Sequence, residues 1–115
     1  MAEQVDVCIN NLFDSTIIEV FREFADGNPE PGSQVTIDAG TDGKVSLFEP
    51  GIKLVITPGS GVDFGRCRLN VKDNVHLVSW EKMDDHWEMQ MAANPAPPEV
   101  PNDVNVDIKE DPPAP

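Results

Sequence analysis

A chain of 115 residues has room for one domain with a modest core and not for two. Lys plus Arg number 8 against 21 Asp plus Glu, a formal net charge of −13 that opposes nucleic-acid phosphates and anionic membrane surfaces. No stretch reaches the uninterrupted apolar length of a membrane-spanning helix. The opening, Met1-Ala2-Glu3-Gln4-Val5-Asp6, lacks the basic flank and apolar run of a signal peptide, so the expectation is intracellular synthesis without secretion by such a leader.

From Val5 to Met91 short runs alternate apolar and polar residues between Gly, Pro, Asn and Asp, which predicts antiparallel strands and no long helix. Val5, Val7 and Ile9 share one face of a first strand. Asn10-Asn11 begins a turn before a second strand from Thr16 to Phe21. A third, Gln34 to Ala39, turns Val35 and Ile37 inward. Lys44 to Phe48 and Ile52 to Thr57 flank Glu49-Pro50-Gly51, and Cys67 to Val71 follows. Val75 to Lys82 and His86 to Met91 are joined by Met83-Asp84-Asp85, a hairpin-sized connection that brings Trp80 and Trp87 together. Pro31-Gly32, Pro50-Gly51 and Pro58-Gly59 have the residue pair of a type II turn, and Asp26-Gly27 and Asp42-Gly43 add turn signals. About eight strands result. The expected fold class is all-β: a small antiparallel β-sandwich or jelly-roll-like barrel formed by residues 1–93.

Composition changes at Asn94. Residues 94–115 hold the prolines at 95, 97, 98, 101, 112, 113 and 115, out of 11 in the chain, which forbids a helix or central strand over most of that length. This predicts an extended, proline-rich, acidic C-terminal arm. Within it Val104, Val106 and Ile108 alternate strictly with polar residues, so a short strand is expected at the end of a stiff spacer from Pro95 to Pro101, ready to pair with a neighbour's sheet.

Groups capable of catalysis are sparse. His76, His86, Cys8 and Cys67 have neither an elbow nor a helix start to activate a thiol, so no catalytic residue is assigned and the chain is expected not to be an enzyme. Cys8 and Cys67 lack disulfide-framework spacing and are expected to be free thiols, Cys67 inward and Cys8 outward. Asp84-Asp85-His86 and Asp38 to Gly43 carry potential metal ligands, but both read better as polar turns. Gly59-Ser60-Gly61 precedes no lysine-bearing helix and is not a phosphate loop. No cofactor or metal is expected. Trp80 and Trp87, near Met83, Met89 and Met91, are the candidate docking residues, since Trp is favoured at interface anchors.

Ile9-Asn10-Asn11 followed by Gly40-Thr41-Asp42-Gly43 resembles the aegerolysin-type lipid-binding sandwiches over the first half of the chain, without their tryptophan- and cysteine-bearing signature. The leading expectation is a structural interaction protein, in its most concrete form a small decoration or cement protein on a viral or phage capsid. Its body would sit on a partner with a basic surface, its arm (Val104, Val106, Ile108) would tie neighbours together, and homo-oligomers would be a further outcome. Its expected place is then the virion surface. The alternative is a soluble carbohydrate- or lipid-binding β-sandwich.

Overall fold

The structure, a computed structural model, describes residues 4–92 and 103–112. Period-two alternation becomes two packed sheets, because each strand has one apolar face to bury. The strands are β1 (Val5–Asn11), β2 (Ile18–Glu23), β3 (Val35–Ile37), β4 (Asp42–Leu47), β5 (Lys53–Pro58), β6 (Cys67–Asp73), β7 (Val78–Lys82), β8 (Trp87–Met91) and β9 (Asp103–Glu110). One sheet has the order β4-β1-β9-β6 and the other β3-β2-β5-β8-β7. The expected all-β class therefore holds. Val75 to Leu77, expected as the start of a strand, forms a 3-10 turn that carries the chain from β6 to β7.

One core fills the space between the sheets. Val7, Ile9, Leu47, Val104, Val106 and Ile108 enter it from the first sheet and Ile18, Val20, Leu54, Ile56 and Met89 from the second, all with no exposed surface. The strand expected to pair with a neighbour is thus inside the chain's own body. β9 runs parallel to β1, with Val7 beside Val104 and Ile9 beside Val106, and antiparallel to β6, with Leu69 opposite Ile108. This corrects two expectations. The C-terminal strand is not the edge of another subunit's sheet, and a boundary at residue 94 cuts through a single core. The physical reason is burial: docking three β-branched side chains against the chain's own core gains the apolar burial that a distant partner would otherwise have to supply. The β1·β9 pairing also makes this sheet mixed rather than wholly antiparallel. The spacer expected over Pro95 to Pro101 lies outside the described residues.

Asn11, read from sequence as part of a turn, ends β1 and is completely buried. Its side-chain amide donates to the carbonyls of Thr16 (2.8 Å) and Ile37 (2.9 Å), and its Oδ1 accepts from the Phe13 N–H (2.9 Å). Together these bonds fix the crossing from β1 in one sheet to β2 in the other while leaving no buried polar atom of this side chain unpaired. Asp42-Gly43 is likewise not a turn but the start of β4, and Gly43 is where the sheets approach along the β3–β4 side. A Cβ there would stand 2.8 Å from Cγ1 of buried Ile37.

Two stability outcomes follow. Ile108→Ala is expected to cost about 2–5 kcal/mol, as large core truncations do, and a chain ending at Ala92 to lose cooperative urea unfolding; a truncated chain that unfolds cooperatively would contradict the placement of β9. Gly43→Ala is expected to cost about 1–3 kcal/mol through overpacking against Ile37, read from the shift in denaturation midpoint.

Candidate partner-binding seam

The two long sides of the sheet pair differ. Along β3 and β4 the sheets meet at Gly43. Along the other side β6 pairs only with β9 and β7 only with β8, so among the described residues no strand covers the outer edge of either. The chain turns between them at Asn74 to Leu77 and then runs back along the seam, from Val78 to Lys82.

Three residues of β7 face into this seam in turn. Val78, opposite Met91, is buried; Trp80, opposite Met89, is 40% exposed; Lys82, opposite Trp87, is exposed. Lys82 closes one end. Its Nζ donates to the carbonyl of Cys67 at 2.9 Å and of Gly65 at 3.4 Å, and lies 4.8 Å from the centre of the Phe64 ring. That ring in turn packs on Trp87 with centroids 4.8 Å apart and planes tilted by 59°. The cation, the ring and the indole form a stack that ties the 3-10 turn Phe64–Arg66 to β7 and β8. Beside it opens a groove of about 660 Å³ lined by Leu12, Leu69, Trp80, Lys82, Trp87 and Lys109. Leu12 is 50% exposed there.

The residues assigned from sequence to partner binding separate. Trp80 borders the groove with an exposed indole. Trp87 reaches the groove's floor but is only 2% exposed, so it is a core residue that supports the site. The two indoles are not cross-strand partners, since Trp80 lies opposite Met89 and Trp87 opposite Lys82, but both border one groove. Val104, Val106 and Ile108 lie in the core, as described above, and none lines the groove. Leu12, Lys82 and Lys109 were not singled out in the sequence. Only the alternation Val78-Ser79-Trp80-Glu81-Lys82, which places Lys82 on the face of Trp80, could have signalled one of them.

Cys8 is half-buried and Cys67 buried, both free, as expected. Burial pushes both thiols up, away from the thiolate form that nucleophilic chemistry uses. Among the described residues no group of three or more His, Cys, Asp and Glu side chains is arranged to hold a metal ion, and no helix is long and apolar enough to cross a membrane. His86, at the β7–β8 hairpin, sits between two carboxylates: Nδ1 is 2.7 Å from Asp85 and Nε2 3.1 Å from Glu88, which also pairs with Lys53 at 3.2 Å. Burial works against the charged imidazole, but the hydrogen bonds that it donates to the Asp85 and Glu88 carboxylates outweigh it and hold His86 above its ordinary value. His86 in turn holds Glu88 below its own. No family model, curated protein or solved structure matches this chain.

The His86 clamp has a defined pH window. Its imidazole stabilises the fold fully below its ordinary pKa of 6.5 and loses that contribution as pH rises through the higher folded value. Glu88 contributes above its ordinary 4.5 and fades as pH falls through its lower folded value. The stability lost in His86→Gln, measured by urea unfolding, is therefore expected to be larger near pH 5.5 than near pH 9; an equal loss at both would show that the clamp carries no charge.

Proposed function

We propose that this chain is a non-enzymatic β-sandwich interaction module that docks onto a larger protein assembly through the seam between β6 and β7, as a decoration protein sits on a viral or phage capsid. The observation that carries the reading is Trp80, an indole left 40% exposed on the inward face of an edge strand, beside a groove that no other described residue fills. Large aromatic side chains in such positions are the usual anchors of protein interfaces. The reading also draws support from the surroundings: a body held by one packed core and a net charge of −13 that steers it toward a basic surface at long range. In this form the C-terminal strand stiffens the docking body rather than tying neighbours together.

A second reading has its own observation. Trp80 also borders a shallow hollow of about 240 Å³ on the outer face of the second sheet, with Ser79, Glu88, Gln90 and Lys53 around it. A hollow ringed by hydrogen-bonding side chains suits the hydroxyls of a sugar, so carbohydrate binding is the alternative.

Both readings meet in one experiment. In extracts of the source cells, the protein is expected to sediment with a high-mass assembly, and Trp80→Asp, still folded by circular dichroism, to remain in the light fraction. Sedimentation of both proteins as monomers would overturn the docking proposal, and glycan-array binding abolished by the same substitution would establish the alternative.

A further inference from the structure

Resting on that reading, we infer that the seam binds an extended, acidic segment of its protein partner, which adds as a strand to the free edge of β6 while Trp80 covers one of its apolar side chains.

The first argument is backbone direction. The Arg66 carbonyl accepts from the Asp111 N–H, on the β9 side, whereas the Cys67 carbonyl points the other way and accepts from Lys82. Backbone groups of alternate residues in a strand point to the same side. The N–H and C=O groups of Leu69 and Val71 therefore face the seam, as those of Cys67 do. Lys82 occupies the edge only at its Cys67 end, a common way of protecting an exposed strand from indiscriminate pairing. Among the described residues nothing pairs with the outer edge from Leu69 to Val71, a short ladder of main-chain donors and acceptors beside an exposed indole, which is what strand addition uses.

The second argument is charge. Arg66, Arg68, Lys72, Lys82 and Lys109 stand on β6, β7, β9 and the turn before β6, while only Arg22, Lys44 and Lys53 serve the remainder of an acidic chain. Three of the five are engaged by β9 and its extension: Arg66 with Glu110 at 3.9 Å, Arg68 with Asp111 at 2.6 Å and Lys72 with Asp107 at 3.3 Å. Lys82 has only backbone carbonyls and a ring for partners, and Lys109 has no ion pair among the described residues. Both line the groove. The same elements also carry Asp73, Glu81, Asp103, Asp107 and Glu110, but the groove lining itself sets Arg68, Lys82 and Lys109 against Glu81 and Asp107, with Asp107 already paired to Lys72. The groove therefore has a slight positive excess in a chain of net charge −13, so long-range steering and local selection act on different parts of the partner: a basic surface attracts the body, and an acidic strand fills the seam.

The test titrates the full-length, ¹⁵N-labelled protein with three probes: a blocked peptide of alternating Glu and Val, its Lys–Val counterpart, and a sulfated oligosaccharide. The Glu–Val peptide is expected to shift the amides of Leu69 and Val71 and the Trp80 indole N–H, and to slow hydrogen exchange at the first two. Arg68→Glu combined with Lys109→Glu is expected to weaken it at least tenfold. Lys109→Gln alone, a milder change on an exposed side chain, is expected to weaken it by a smaller factor. Equal shifts from the Lys–Val peptide, binding of the saccharide without amide protection in β6, or unchanged affinity in both variants would each overturn the inference. If Trp80→Asp releases the protein from its assembly while the charge variants remain bound, docking through the seam stands and the acidic strand is wrong.

Discussion

The insertion of β9 between β1 and β6 is the constraint on which the rest of this structure depends. Val104, Val106 and Ile108 are wholly buried, and at about 1.5–3 kcal/mol for each fully buried side chain they supply an amount comparable with the whole net stability of a typical domain, about 5–15 kcal/mol. Without them, β1 and β6 would face each other across an open slot and the core would be wet along its centre. The chain's last strand therefore completes its first, and the contact joins residues almost a full chain length apart.

This insertion also decides where the molecule is closed and where it is open. With β9 in the middle, β4 and β6 become the edges of the first sheet. β4 is drawn against β3 because Gly43 offers no side chain to hold Ile37 away. β6 is left opposite β7, and there the gap is spanned at the Cys67 end by the long side chain of Lys82. One side of the sheet pair is sealed by the smallest residue and the other is bridged by a flexible cation. The exposed indole of Trp80 lies on the bridged side, where a partner can enter without disturbing the core.

The strands could be read from the sequence because their alternation is local. Val5, Val7 and Ile9, Ile18 and Val20, and Leu54 and Ile56 announce their buried faces without knowledge of their neighbours, and so did Val104, Val106 and Ile108. What alternation cannot convey is the identity of the partner sheet. Prolines around the last strand suggested a projecting arm, since they are incompatible with regular structure where they stand, but they place no restriction on the eight residues of β9 itself. Asn11 was misread for a related reason. An Asn pair looks like a turn locally, and only the carbonyls of Thr16 and Ile37, brought in by the fold, give its amide a structural role. The site was legible in part: Trp80 stood out as a rare aromatic, whereas Lys82 and Lys109 acquire meaning only when β6, β7 and β9 come together.

Native-state hydrogen exchange measured residue by residue tests the central claim, that the C-terminal strand is integral to one cooperative core beside an open seam. The account predicts that the central amides of β9 exchange as slowly as those of β1 and β5, through global unfolding, while Leu69 and Val71 on the free edge of β6 exchange much faster. Rapid exchange throughout β9 with β1 and β5 still protected would contradict it, because that pattern belongs to an arm lying on a body that is stable without it.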